Sequence, residues 1–115
     1  MGQRSSPHVR HRRKYAAKPL PVERRFHFRG SRRAELAPAT MEEFGQRLLE
    51  CDPDTLDYHL SRGDFSRWVT EGLADRVLGS EFGRIEVDLL SRRAASVERA
   101  RRQLYDALER RYLQG

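Results

Sequence analysis

A helix-start signal opens the most structured part of the chain and strongly constrains its fold. Thr40 and Glu43, in TMEE, match a capping box, in which the hydroxyl and the carboxylate each accept a backbone amide. The helix should therefore begin after Thr40 and run to about Glu50, with Met41 and Phe44 on its inner face.

Two further signals follow at once. In DPDT, Asp52 suits the N-cap and Pro53 the first helical position, which predicts a second helix to about Arg62. Gly63 predicts a helix stop, and Asp64 the N-cap of a third helix. Such closely spaced punctuation predicts short helices joined by tight turns.

The rest of the chain continues the helical pattern, and no segment of 34–115 has the pattern of a strand. The third helix, DFSRWVTEG, should end at Gly72 and bury Phe65, Trp68 and Val69. A fourth segment, LADRVLGSEFGRI, supplies Leu73, Val77, Leu78, Phe82 and Ile85. The last and longest helix is predicted over about 85–113, with a near-heptad stripe of Val87, Leu90, Ala94, Val97, Leu104 and Leu108. We therefore predict an all-α fold, a small bundle of four to five helices with a long C-terminal helix.

Charge divides the chain into two parts. Residues 1–33 carry 11 Lys and Arg and one acid, whereas 34–115 carry 12 basic and 16 acidic residues, which together give the net charge of +6. This asymmetry predicts a basic extended or disordered arm, 1–33, before a helical domain, 34–115. Few apolar residues and several prolines predict that 1–24 is disordered when free, whereas RRFHFRG should be a short strand or an extended segment docked on the domain.

An arm of this composition suits a polyanion, because each cation near a phosphate releases condensed counterions. Aromatic residues among the cations favour RNA or other single strands, since they stack on unpaired bases. The predicted nucleic-acid-binding residues are Arg10, Arg12, Arg13, Lys14, Tyr15, Lys18, Arg24, Arg25, Phe26, Phe28, Arg29, Arg32 and Arg33. The alternatives are a solubilising tail and another acidic partner or a membrane, the last because MGQRSS matches a myristoylation acceptor.

The best candidate for a catalytic group is His59, which has Asp57 and Asp64 nearby in sequence. Asp57 points to a different helix face, and no nucleophile motif or phosphate loop accompanies the pair. We therefore interpret His59 as structural, bonded to a backbone group or to a carboxylate such as Asp64. No cofactor is predicted, and no metal either, since the pair His8 and His11 stands in an Arg-rich field without further ligands.

Taken together, ATMEEFGQRLLE, DTLDYHLSRGDFSRWV and LADRVL resemble a small prokaryotic helical family, the domain of unknown function 5752. The resemblance covers roughly 26–86. Its matching residues are Phe26, Phe28, Gly30, Glu43, Phe44, Tyr58, His59, Asp64, Phe65 and Trp68, which we interpret as structural. The order of residues in GLADRVLGSEFG departs from the family pattern. The resemblance implies a helical fold and no particular activity.

These observations favour a non-enzymatic, cytoplasmic accessory protein that binds nucleic acid through its arm, with ribosomal RNA favoured over DNA. No apolar run approaches the roughly 18 residues of a membrane span, and no secretory signal is expected. The alternative is a protein-interaction module whose helical domain recognises another protein. The C-terminal helix should dock on the domain, with self-association or partner binding as the other possibilities.

Overall fold

The computed structural model describes residues 17–30, 37–91 and 96–114, and within these ranges the protein is all-helical, without strands. A short 3-10 turn comes first, and five α-helices follow. They are α1 (Met41–Glu50), α2 (Pro53–Arg62), α3 (Asp64–Gly72), α4 (Arg76–Ser91) and α5 (Val97–Leu108), and a π-helical turn, Glu109–Leu113, extends α5. The predicted fold class is confirmed.

Side-chain caps define the starts of α1 and α2, as predicted. The Thr40 hydroxyl accepts the Glu43 amide at 3.1 Å, and the Glu43 carboxylate accepts the Ala39 amide at 2.8 Å. At α2, the Asp52 carboxylate accepts the Thr55 amide at 2.8 Å, and this hydrogen bond lowers the pKa of Asp52. The bonds to Thr40 and Asp52 satisfy first-turn amides that have no partner within their own helix.

Gly63 separates α2 from α3 as predicted. Its φ of 71° and ψ of 24° lie in the left-handed region, which glycine adopts without steric cost. The Gly63 amide donates to the carbonyls of His59 and Leu60, and α3 begins at the next residue. The predicted role of Asp64 as N-cap is wrong, because Asp64 is already the first residue of α3 and makes no capping hydrogen bond.

The single helix predicted over 85–113 is wrong, because this range belongs to two helices. α4 ends at Ser91, and α5 begins at Val97 and packs back against α4 and α1. α5 begins after Ser96, whose hydroxyl accepts the Arg99 amide at 3.0 Å. A continuous rod would carry Leu104 and Leu108 away from the core, whereas the folded-back helix buries both completely. Hydrophobic burial therefore favours the break that the heptad pattern concealed.

The predicted apolar pattern of α4 is confirmed for Leu78 and Phe82, which are buried, and is wrong for three other residues. Val77, Val87 and Leu90 are 51%, 60% and 46% exposed, whereas Phe82 and Leu89 face the core. The inner face of α4 is the one that packs against α3 and α5. Val77, Val87 and Leu90 lie on its outer face.

The core is built around aromatic rings from the N-terminal segment, α1 and α3. Phe26 stacks on Phe65 with centroids 4.9 Å apart and meets Phe28 edge-on at 4.9 Å. Phe44 packs against Trp68 at 4.6 Å. The N-terminal segment therefore supplies two of the central rings.

This packing moves the predicted boundary between arm and domain. We call residues 17–30 the lead-in, and it belongs to the folded unit because Leu20, Phe26 and Phe28 are buried. The predicted disorder of 1–24 does not hold for 20–24, where the 3-10 turn Val22–Arg24 follows the buried Leu20. The alternative that RRFHFRG docks on the domain as an extended segment is confirmed.

Arg101, which the sequence places on the apolar stripe of α5, ties that helix to the end of α1. Its guanidinium donates to the carbonyls of Leu48 and Cys51 at 2.8 and 2.7 Å and to Glu98 at 2.8 Å. The last carbonyls of a helix have no partner within it. Arg101 supplies one from across the bundle, which explains a charged residue that is only 9% exposed.

Asp75 ties the C-terminus to the start of α4. Its carboxylate accepts the Leu78 amide, the Arg111 guanidinium and the Tyr112 hydroxyl at 3.1, 2.8 and 2.9 Å. Burial by itself raises the pKa of Asp75, but the hydrogen bonds from Arg111, Leu78 and Tyr112 outweigh it and hold that pKa below its ordinary value.

Candidate nucleic-acid interface

The lead-in is held against the helical bundle by backbone hydrogen bonds as well as by its aromatic rings. The Leu20 amide donates to the Ala39 carbonyl at 2.7 Å, and the Trp68 indole N–H donates to the Arg24 carbonyl at 2.7 Å. The Arg29 amide donates to Nε2 of His59 at 2.9 Å. Both ends of the lead-in are therefore fixed.

His59 has structural partners at both ring nitrogens. Because Nε2 accepts the Arg29 amide, the proton of the neutral ring lies on Nδ1, which donates to the Asp64 carboxylate at 2.8 Å. The ring is 4% exposed and meets Phe26 edge-on. These contacts fit the predicted structural role of His59, with both a backbone group and Asp64 as partners. Asp57 was predicted to point to a different helix face, and it is exposed.

The carboxylate of Asp64 gathers cations as well as the histidine. It accepts from Nε of Arg62 at 3.1 Å and from the Arg67 guanidinium at 2.8 Å. Asp64 thus fixes His59 on its inner side and two arginines on its outer side. This is why its carboxylate does not cap α3.

Glu86 takes the capping role that the sequence assigned to Asp64. From α4, its carboxylate accepts the amides of Phe65 and Ser66 at the start of α3, both at 3.1 Å. Burial raises the pKa of Glu86, against the lowering effect of these hydrogen bonds. No local sequence signal marks Glu86 as a cap, because the helix that it caps begins 22 residues earlier in the chain. Its spacing from the inward-facing Phe82 and Leu89 is the signal that indicates the inner face.

Tyr58 carries two arginine side chains over its ring. Arg62, one turn further along α2, has its guanidinium carbon 5.0 Å from the ring centroid, and Arg29 of the lead-in has its own at 4.3 Å. The hydrogen bond from the Arg29 backbone amide to His59 places the Arg29 side chain beside Tyr58. The lead-in and α2 therefore meet in a cationic and aromatic surface.

The predicted nucleic-acid-binding residues divide into three groups. Lys18, Arg24 and Arg29 are exposed on the lead-in, whereas Arg25 is half-buried and donates from Nε to the Leu20 carbonyl at 2.9 Å. Phe26 and Phe28 are each 5% exposed, so their predicted stacking on bases is wrong, because their rings pack in the core. Outside the described residues lie Arg10, Arg12, Arg13, Lys14, Tyr15, Arg32 and Arg33, as do His8 and His11.

Cys51 and the acidic side chains are the other reactive groups of the described residues. Burial raises the pKa of the Cys51 thiol, against the lowering effect of the nearby Arg101. Within the part of the chain that the structure describes, His, Cys, Asp and Glu form no cluster able to hold a metal ion. No helix in that part is long and apolar enough to cross a membrane.

Comparison with known proteins gives no match to a family model, to a curated protein or to a solved structure. The resemblance to the domain of unknown function 5752 stays a prediction. Fold and surface define a small helical domain on which a basic lead-in is docked.

Proposed function

We propose that the protein is a non-enzymatic, cytoplasmic accessory protein that binds nucleic acid, with ribosomal RNA as the favoured partner. The observation that carries the proposal is the fixed two-sided arrangement of the lead-in. Its apolar side chains enter the core, and Lys18, Arg24 and Arg29 face outward. A row of cations is thereby held on the domain.

The charges of this row are available to a ligand. Among the described residues, no carboxylate forms an ion pair with Lys18, Arg24 or Arg29. Exposed cations without counter-charges collect phosphate groups and release their condensed ions. Burial of the neighbouring Phe26 and Phe28 keeps the row on the surface, so the backbone that carries these cations needs no ordering when a ligand binds.

The part of the arm before the lead-in, residues 1–16, adds further positive charge. Residues 1–16 contain five Lys and Arg and no acid. Contacts of this kind to phosphates supply affinity and position without reading sequence. In this account the arm and lead-in supply affinity, and the helical domain sets the position of the protein on its partner.

The test is binding of ribosomal RNA fragments and duplex DNA over a series of salt concentrations. The full chain is compared with a chain that starts at Ala17, since removal of residues 1–33 would also remove Leu20, Phe26 and Phe28 from the core. We expect tight binding that weakens steeply with salt, is stronger for RNA, and is reduced by the loss of residues 1–16. Failure of the full chain to bind either polymer at low salt would contradict the proposal.

The second candidate function is that of a protein-interaction module, and the surface of α4 and α5 favours it. A groove of about 900 Å³ between the two helices is lined by the apolar Ile85 and Val87. Its charged lining has three acids and two arginines, Glu81, Asp88, Asp106, Arg84 and Arg110. The chemistry fits an amphipathic helix with basic flanks from another protein. A photo-crosslinker at Val87 should then capture a discrete protein that one at the exposed Ser61 does not, and equal labelling from both positions would contradict this function.

A further inference from the structure

A basic arm attracts polyanions without any fixed arrangement of its charges. Around Tyr58, however, the charges have a fixed arrangement. Arg29 and Arg62 reach the same ring from two segments that are far apart in sequence. Arg29 is exposed, and the Arg62 side chain is 55% exposed. Two guanidinium groups are thus held against the same ring at a defined place on the surface.

The surface carries charges of both signs, and its cations are the groups that lie over Tyr58. Glu50, Asp52 and Arg47 line one depression together with Arg29. Arg29, Arg62 and Arg67 bring three positive charges, and Asp64, whose carboxylate contacts Arg62 and Arg67, brings one negative charge. His59 is neutral in its observed bonding, because Nε2 accepts a hydrogen bond. Asp54 lies one turn before Tyr58 on α2 and bounds the positive surface at that end.

The exposed guanidiniums offer a surface to a base as well. The carbon of each lies over the Tyr58 ring, at 4.3 Å for Arg29 and 5.0 Å for Arg62. The outer face of an arginine is a plane on which an unpaired base stacks, and the edges of the group donate to phosphate oxygens. A paired base has both faces covered by its neighbours and cannot stack in this way.

We propose that Arg29, Tyr58 and Arg62 form a subsite for one nucleotide of a single-stranded nucleic acid. The two guanidiniums donate to the phosphate, and the base stacks on the aromatic and guanidinium surface. This inference rests on the proposed function and adds the strand preference of the interface. Tyr58 acts as the platform that holds the two arginines in register.

The test uses the full chain and a fluorescent single-stranded oligouridine, with the corresponding uridine–adenosine duplex as the comparison. We expect Tyr58→Leu to weaken single-strand binding by roughly 5- to 100-fold, the range found for loss of one stacked base, and to leave duplex binding nearly unchanged. Arg29→Gln should weaken single-strand binding and also reduce its dependence on salt by about one phosphate contact.

The controls separate the subsite from charge and from folding. Arg84→Gln removes the same charge from the exposed face of α4 and should change single-strand affinity less than Arg29→Gln does. Tyr58→Phe keeps the ring and should bind like the unmodified chain, and circular dichroism of each variant reports its folding. Because Arg29 is exposed, Arg29→Gln tests the subsite even if Tyr58→Leu fails to fold.

The outcomes distinguish this inference from the proposed function. Equal affinity of the unmodified chain for single strand and duplex, or equal losses in Arg29→Gln and Arg84→Gln, would overturn the subsite and leave nucleic-acid binding standing. An unmodified chain that binds neither polymer at low salt would overturn both proposals.

Discussion

Arginines are used in opposite ways at the two ends of the described structure. At the C-terminal end, Arg101 donates to backbone carbonyls and Arg111 donates to Asp75, so both act inside the protein. In the lead-in, Arg24 and Arg29 lie on the surface without a carboxylate partner among the described residues. The same residue type therefore stabilises the fold where acceptors surround it and remains available to a ligand where they do not.

The largest loss of stability is expected from a change at the C-terminal end. Asp75→Asn removes the charge that pairs with Arg111 and should lower the free energy of unfolding by about 3 kcal/mol at neutral pH, because the largely buried guanidinium loses a charged acceptor. Urea denaturation measures it. Asp106→Asn, at an exposed position of α5, is the control. A loss below about 1 kcal/mol in Asp75→Asn would show that this pair does not hold the C-terminus.

The next effect concerns the link from α5 to α1. Arg101→Met leaves the carbonyls of Leu48 and Cys51 without their donor and should cost about 2 kcal/mol of unfolding free energy. The exposed neighbour variant Arg102→Met should stay within about 0.5 kcal/mol of the unmodified chain. Equal losses in the two variants would contradict the role given to Arg101.

His59→Gln tests the link between the lead-in and the bundle. Glutamine keeps a donor and an acceptor but lacks the ring that packs against Phe26 and holds the bonds to Arg29 and Asp64 in place, so we expect a loss of about 1–2 kcal/mol. Trp68 is the only tryptophan and donates to the lead-in at Arg24, so its fluorescence reports loosening of this segment. An unchanged spectrum together with unchanged stability would argue against this anchor.

The two buried carboxylates should respond oppositely to pH. The pKa of Asp75 is lowered on folding, so its contribution to stability is present above its ordinary value of 3.8 and is lost as the pH falls through the folded pKa. The pKa of Glu86 is raised, so stability associated with its protonated form is present below 4.5 and is lost as the pH rises through the folded pKa. Denaturation of Asp75→Asn and Glu86→Gln over a pH series should show opposite slopes relative to the unmodified chain, and slopes of the same sign would contradict the assignment.

The smallest effect on stability is expected from the arginines of the lead-in. Arg24→Gln and Arg29→Gln should each change the free energy of unfolding by less than about 0.5 kcal/mol, because neither guanidinium has an ion-pair partner among the described carboxylates. Urea denaturation provides the check. A loss above about 1 kcal/mol would mean that these arginines support the fold and are not free for a ligand.

What the sequence predicted well was local. Thr40 and Asp52 cap helices through amides three residues away, and Gly63 ends a helix through its own backbone, so short patterns contain the necessary information. The His59–Asp64 bond spans five residues and was also within reach.

What the sequence missed depends on contacts between distant segments. Glu86 caps a helix 20 residues earlier in the chain, and Arg101 meets carbonyls 50 residues or more away. The alternation of Phe26 and Phe28 with polar residues predicted an extended segment, but the side on which it would be buried depended on the bundle. Arg29 was predicted to bind nucleic acid, but its approach to Tyr58 was not predicted, because only the fold brings Arg29 to α2.

The most direct test compares two variants of the full chain that lose the same charge from different places. One carries glutamine at Lys18, Arg24 and Arg29, and the other carries glutamine at the exposed Arg76, Arg84 and Arg102. Affinity for single-stranded RNA is measured over a salt series. Our account predicts that the slope of log affinity against log salt falls by about 2 in the first variant and far less in the second. Equal changes in both variants, or no change in the first, would contradict the claim that the lead-in presents its cations to nucleic acid.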